Sequence, residues 1–388
     1  MKVCIITTVD SPFDPRVFYK EAKSLAKVHD VVVIAPYAEP IKEDCDGIGV
    51  VTVKKPAKRI FHPITMWRIL KEGFSRECDV YHCHAPDALF LGALLKILKR
   101  SKVVYDAREH YPSLIAENSL FPKFIKPFVR FLADIGERGL INFADVIITV
   151  DEILAAKYRQ FHNYVVVMPN YPRLSFFKED NYSEELNQKF KYNKVLLYVG
   201  GLTEYRGVLQ SLQAFKKVLK VLPEAKLLFL GNFSGNTGYK ENVFSYIREN
   251  DLNESVSFLG YVQHKNIPNY INLCDVGIVF LQPIPRYENA VPMKLFEYMS
   301  CGKPVIASDF SEIKNIVKEI DCGILVDPTV PDEIATAMIY LLSHQEEGKR
   351  MGLKGKFAVG EKYNWEVIEE RIFKVYDDIL DEHDVIGD

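Results

Sequence analysis

A chain of 388 residues exceeds what one hydrophobic core normally serves, so two domains of roughly 150 to 200 residues are expected. A formal net charge of -3 and the lack of a stacking-aromatic RNA-binding module exclude nucleic acid as a partner. No apolar run approaches the ~20 residues of a membrane span, and Met1 to Ile6 enters a strand-like segment without a cationic leader, which predicts a cytoplasmic protein.

Short β-branched runs alternate with longer amphipathic segments, the pattern of repeated strand-helix-strand units with a parallel sheet. In the first half, strands are predicted to begin at Val3, Val31, Val50, Val80, Val103, Val146 and Val165. The first strand exit, Asp10 to Val17, carries Asp14 and Arg16; Asp14 either meets a ligand or caps the following helix. At the exit of the strand from Val80, His82 and His84 share one face with Cys83 opposite, and Asp87 follows. No CxxC or helical His pair accompanies them, so no metal is expected. His84, at the strand end, is the candidate for touching substrate, whereas His82 also reads as a satisfied core histidine. One strand later, Asp106, Arg108, Glu109 and His110 crowd the exit, as expected for a loop lining an interdomain cleft.

Between Phe121 and Leu132, four aromatics interleave with Lys123, Lys126 and Arg130 at helical spacing. This fits a helix resting on an anionic membrane surface, and equally a core helix with a basic outer face. A polar, irregular stretch entered at Pro172 then breaks the pattern. The predicted organisation is a Rossmann-like domain over 1–170, a linker over 171–193, a second Rossmann-like domain over 194–360, and a C-terminal helix over 361–388 able to pack back on the first domain.

In the second half, strands are predicted from Val195, Leu227, Val256, Val276, Val305 and Ile324. The run Val195 to Val199 is continuously apolar, implying helices on both faces of its sheet. It leads into Gly200-Gly201-Leu202-Thr203-Glu204-Tyr205-Arg206-Gly207, where glycines permit close approach and Arg206 offers a bidentate, permanently charged donor to phosphate. The stretch from Pro292 to Ala307 joins a helix start, a carboxylate and a strand. Pro292 marks the first turn, where free N–H groups converge on an anion, and Lys294 adds charge beside them. Glu297 stands about one turn further on among Leu295, Phe296, Tyr298 and Met299, in reach of a ribose hydroxyl pair. The seven cysteines show no paired framework and are expected to be reduced and mostly buried.

Taken in order, these motifs, with Pro169-Asn170 and Phe258 to Val262, resemble the retaining nucleotide-sugar glycosyltransferases of the GT-B fold, the group 1 or family 4 type. The resemblance spans nearly the whole chain. It implies two doubly wound α/β domains facing each other across a cleft, with the donor on the second and the acceptor on the first. Donor contacts would come from Gly201, Arg206, Gly260, Tyr261, Val262, Asn289, Pro292, Met293, Lys294, Leu295 and Glu297. Acceptor contacts would come from Asp14, Arg16, His84, Asp87, Asp106, Arg108, Glu109 and His110, with Arg206, Lys294 and His84 as catalytic groups. The implied co-substrate is a nucleoside-diphosphate sugar with no other cofactor, and the implied acceptor is a glycan or polyprenyl-linked glycan at the inner membrane face.

The chain departs from the family at three places. Gly201 stands where arginine is common, Asn289 where a glutamate is common, and Arg108 where a histidine is common, with His110 displaced. Two other functions share this two-domain shape: a nucleotide-sugar epimerase or hydrolase, and a glycosyltransferase-like subunit that binds without transfer.

Overall fold

The computed structural model describes residues 1–56, 58–116, 122–177, 184–235, 237–284, 287 and 290–384. The chain divides into two compact units, one of Met1–Asn170 with Glu366–Asp388, the other of Tyr171–Trp365.

The first unit is built on strands β1 (Lys2–Thr7), β2 (Asp30–Tyr37), β3 (Lys42–Cys45), β4 (Ile48–Lys54), β5 (Val80–His84), β6 (Lys102–Ala107), β7 (Val146–Thr149) and β8 (Val165–Val167). They form one sheet in the order β3-β4-β2-β1-β5-β6-β7-β8. All neighbours are parallel except β3 and β4, an antiparallel edge pair. Strand β3 is Lys-Glu-Asp-Cys, without β-branched residues, and was not predicted. Its tight connection through Asp46 and Gly47, both at positive φ, forms it instead.

The second unit carries β9 (Lys194–Val199), β10 (Ala225–Leu230), β11 (Val256–Gly260), β12 (Val276–Val279), β13 (Val305–Ser308) and β14 (Gly323–Val326), ordered β11-β10-β9-β12-β13-β14 and parallel throughout. Both units are therefore doubly wound parallel α/β sheets, as expected. The strand order reverses at β1/β5 and at β9/β12, and in open sheets of this kind the crevice beyond such a reversal is where ligands bind.

The segment expected as a linker contributes to the second core. Phe177 and Phe190 are buried there, and Tyr171 packs edge-on against Phe296 and Tyr363 at 5.0 and 5.4 Å. Residues 178–183 lie outside the described residues. Helix Trp365–Asp384 buries Ile368, Ile372, Val375 and Ile379, the stripe its spacing predicts, together with Tyr376. It docks on the first unit: Glu369 takes Ser24 Oγ at 2.6 Å and Lys27 Nζ at 2.5 Å, and Arg371 donates to Val167 O at 2.9 Å.

In the second unit, helix Met293–Ser300 is buried almost all round, so its placement depends on packing rather than on an amphipathic face. Tyr298 supplies the fixed point. Its hydroxyl donates to Leu197 O at 2.8 Å and accepts the Val199 N–H at 3.0 Å, joining the helix to the end of β9. The ring fits because β12 has no side chain at Gly277, where a Cβ would lie 2.4 Å from Tyr298 Cγ. Gly277→Ala should therefore destabilise the protein by about 1–3 kcal/mol, the usual cost of overpacking. Urea denaturation would register this as a lower midpoint.

Candidate functional site

Strand β9 is buried on both faces and ends at Gly200 (φ 125), a conformation L side chains rarely adopt. The turn beyond it is where Arg206 folds back. Arg206 Nη1 lies 3.5 and 3.7 Å from the places where Cβ atoms on Gly200 and Gly201 would sit, so the two glycines let the guanidinium lie across the turn. Its Nε–H donates to the Tyr287 hydroxyl at 3.4 Å, and the Tyr198 hydroxyl donates to Gly201 O at 3.0 Å. Gly207 (φ 70) then opens helix Val208–Val218, and a Cβ there would meet Phe280 Cβ at 2.6 Å.

Lys294, one residue into helix Met293–Ser300, comes to the same place. Its Nζ stands 3.6 Å above the centroid of the Tyr198 ring, a cation–π contact. The residue is only 7% exposed, and Nζ has no hydrogen-bond partner among the described residues. Burial first, and then the neighbouring Arg206, hold its ammonium well below the ordinary lysine range, while Glu297 acts in the opposite sense. Two basic side chains from separate segments thus converge, and among the described residues no carboxylate pairs with Lys294.

Glu297 lies one turn beyond Lys294 and is buried, as its apolar neighbours predict. Its Oε1 is 2.9 Å from His264 Nε2, in the loop after β11. His264 lies just beyond the Gly260–Val262 turn, where no motif or periodicity in the sequence marks it. Gly260 has φ 72, and Tyr261 beside it is 74% exposed. Pro292 is the residue just before the helix, with extended backbone, and its carbonyl accepts the Leu295 N–H at 3.0 Å. Met293 and Val262 are half-buried and Leu295 is fully buried, so Leu295 packs in the core and has no side-chain surface for a ligand. Asn289 lies outside the described residues, as does Glu288.

In the first unit, three expected acceptor residues occupy a different place. Arg16, His84 and Asp106 are wholly buried and engaged with one another, so they do not present themselves to a substrate as expected. A backbone bond from Glu21 N–H to Arg16 O (2.9 Å, i to i+5) widens the helical turn over Val17–Ala22 and sets the two side chains together. Arg16 Nε lies 2.7 Å from Glu21 Oε1 and 2.8 Å from Asp106 Oδ2, and Arg16 Nη1 donates to Met168 O at 3.0 Å. His84 Nε2 is 3.0 Å from Glu21 Oε2. His82 stacks on His84 with ring centroids 5.0 Å apart, and its Nδ1 is 2.9 Å from the Tyr376 hydroxyl.

Burial would raise the Glu21 carboxyl, but Arg16 and His84 hold it down to about 2, whereas burial and the Glu21 charge push Asp106 up. Glu21 is thus the ionised partner of the guanidinium, and burial followed by His84 keeps His82 uncharged. Ligand-type atoms of Glu21, His82, His84 and Asp106 all lie within 4.8 Å of one another, the spacing of a cation site. The Arg16 guanidinium already supplies the positive charge among the two carboxylates.

Other expected residues reach the surface. Asp14 Oδ1 accepts the Arg16 and Val17 N–H groups at 3.0 and 3.2 Å, capping as expected, and also pairs with Arg108 at 3.3 Å. Arg108 pairs with Asp10 as well. Asp87 accepts from Thr8 and lies 2.8 Å from His62 Nε2. Glu109 is exposed, and His110 is half-buried and lowered by burial and by Lys157 and Arg130. Between His84 and Pro86, Ala85 has φ 74 and ψ 159, a conformation that costs an L-residue about 1–3 kcal/mol.

Helix Lys126–Ile141 reverses one of the two expected readings. Its outward stripe is apolar, with Phe128, Phe131, Leu132 and Ile135 each more than half exposed and Phe124 84% exposed in the turn before it. A core helix with a basic outer face is excluded. Phe121 lies outside the described residues. Among the described residues no helix is long and apolar enough to cross a membrane.

Residues 181–357 match the family model described as Glycosyl transferases group 1, and residues 15–171 match that of Glycosyltransferase Family 4. The uncharacterized glycosyltransferase MJ1607 of Methanocaldococcus jannaschii is 25% identical over 366 residues, covering 90% of this chain and 89% of its own. Sucrose-phosphate synthase from Thermosynechococcus elongatus superposes with a TM-score of 0.75 at 16% identity, over 98% and 99% of the two chains. Anabaena HepE in complex with UDP-glucose superposes with a TM-score of 0.73 at 16% identity, over 97% and 100%. These likenesses establish the GT-B fold.

Between its depressed value and the ordinary lysine value of 10.5, Lys294 binds fewer protons folded than unfolded, so stability rises with pH across that window. Lys294→Met, nearly isosteric and uncharged, should raise the unfolding free energy by about 1–3 kcal/mol at neutral pH, seen as a higher urea midpoint, and flatten the pH slope. Unfolding curves at two pH values check both.

Proposed function

The chain belongs to the group 1 glycosyltransferases, and from that membership we propose that it moves a sugar from a nucleoside-diphosphate sugar to a hydroxyl of a glycan or polyprenyl-linked glycan, with retention of anomeric configuration, in cell-surface polysaccharide or glycoconjugate synthesis. The observation that carries the reading is Lys294: a buried lysine next to Arg206 with no hydrogen-bond partner among the described residues, at the strand reversal of the second sheet. A buried charge normally has a partner, and a site that lacks one is suited to a ligand that brings it.

In this reading Arg206 and Lys294 grip the diphosphate, Glu297 holds the ribose, and Gly260, Tyr261 and Val262 lie by the base. The sugar C1–O bond to the β-phosphate breaks, a new C1–O bond forms to the acceptor on the same face, and the acceptor proton passes to the departing phosphate oxygen. The two side-chain cations stabilise the charge that develops on the leaving group, so the reading needs no metal. Asp14, Asp87, Arg108, Glu109 and His110 are the acceptor-side candidates.

The test is a panel of nucleoside-diphosphate sugars incubated with polyprenyl-linked glycan intermediates, with products resolved by mass. Transfer should occur with at least one donor, and Arg206→Ala and Lys294→Ala should each lower kcat/KM about 100-fold or more, the scale of losing a transition-state charge contact. Donor consumption without acceptor favours the hydrolase or epimerase. Absence of nucleotide binding favours the non-catalytic subunit.

The apolar stripe on Lys126–Ile141, with Lys126 and Arg130 beside it, supports docking on an anionic membrane surface. Burying two phenylalanines contributes about 1.5–3 kcal/mol each, so a Phe128→Ser/Phe131→Ser variant should lose about ten-fold or more in co-sedimentation with phosphatidylglycerol vesicles. Unchanged sedimentation would remove the membrane assignment and leave the transferase reading intact.

A further inference from the structure

Glu297 and Lys294 stand three residues apart on one helix, a spacing at which opposite charges ordinarily pair. They do not pair here: among the described residues Lys294 Nζ has no hydrogen-bond partner, and Glu297 Oε1 is taken by His264 Nε2 at 2.9 Å. The histidine is held for that purpose from outside the helix. Its ring sits edge-on to Phe176 and Phe177, with centroids 5.9 and 6.3 Å away at 81° and 79°, and both side chains of the His264–Glu297 pair are less than a tenth exposed. The carboxylate only accepts, so Nε2 is the nitrogen that carries the proton, and buried Nδ1 has no partner among the described residues.

We propose that His264 is a positioning residue that draws the Glu297 carboxylate away from Lys294, so that the carboxylate meets the ribose hydroxyls while the lysine stays available to the diphosphate. This deepens the donor-site reading given above and rests on it. A single hydrogen bond thereby separates two recognition tasks that would otherwise cancel in an internal ion pair. Without His264, Glu297 has one strong attraction left inside the site, the ammonium at Lys294, and forming that pair removes the ribose acceptor and the phosphate donor together.

The experiment uses the full-length protein and isothermal titration with UDP, GDP and ADP and with their 2′-deoxy and 2′,3′-dideoxy counterparts. For the nucleotide that binds, the wild type should prefer the ribose form by about ten-fold or more, as expected for a site built to bond a hydroxyl. His264→Ala should bring that ratio close to one and also weaken binding of the dideoxy form, which reads the diphosphate contact alone. Glu297→Ala should likewise abolish the ratio but leave dideoxy binding near wild type, because no carboxylate is left to pair with Lys294. His264→Gln, whose amide nitrogen reaches about as far as Nε2, should restore most of the ratio, whereas the shorter His264→Asn should not. These two polar variants keep the test readable if the alanine variant fails to fold.

A wild-type ratio retained in both His264→Ala and His264→Asn overturns the proposal, as does dideoxy binding that His264→Ala leaves unchanged. Equal loss in Gln and Asn variants also overturns it, since only packing would then be at stake. Wild type that binds none of the nucleotides sinks the donor-site reading itself, a distinct result.

Discussion

One phenol fixes the second unit's chemistry. Tyr298 ties a helix with no amphipathic preference of its own to the last peptide groups of β9, and it does so only because Gly277 leaves the sheet surface bare beneath its ring. With that anchor set, the helix can turn neither about its axis nor along it, and the residues at its first and second turns are aimed without loop support. Tyr198, on the anchoring strand itself, then provides the ring on which Lys294 rests. Scaffold and site are thus joined through two tyrosines one residue apart from backbone groups of the same strand.

The two units treat their buried cations in opposite ways, and the contrast separates structure from chemistry. Arg16 is met by two carboxylates and a carbonyl, with Glu21 ionised and Asp106 held toward its neutral form, so the charge is balanced internally. Such a network is costly to break, because removing either partner leaves a buried charge uncompensated. Lys294 is met by an aromatic face and the Arg206 guanidinium, with no acceptor among the described residues. Burial alone did not distinguish them; the identity of the neighbours did.

Much of the fold was legible in the residues because it rests on local regularities. Thirteen strand starts were marked by β-branched runs, and each coincides with an observed strand to within two residues. The short polar β3 carried no such mark, since a turn rather than propensity creates it. The convergence of Arg206 with Lys294 was also legible, because each motif ends or follows a strand and the topology of parallel sheets gathers those ends together. The fate of His84 was not. A histidine at a strand exit looks the same whether solvent or a buried glutamate lies beyond it, and the glutamate comes from a turn 63 positions away in sequence whose widening no pattern announces. His264 was invisible for a similar reason, because its meaning lies in a contact with a distant helix. For the helix Lys126–Ile141 the periodicity was clear, and the side facing outward was set by the neighbours it packs on.

The helix Trp365–Asp384 has a consequence for how the chain matures. Its buried stripe, with Glu369 and Tyr376, completes the first unit, yet all of Tyr171–Trp365 is translated in between. During synthesis the second unit, being contiguous, can close as soon as it emerges from the ribosome, while the first must wait with the berth for this helix open. The domain begun earliest is therefore finished last, and nascent chains leave Ser24, Lys27, His82 and Val167 without their partners on this helix for the time needed to add about 200 residues, on the order of ten seconds or more at ordinary elongation rates.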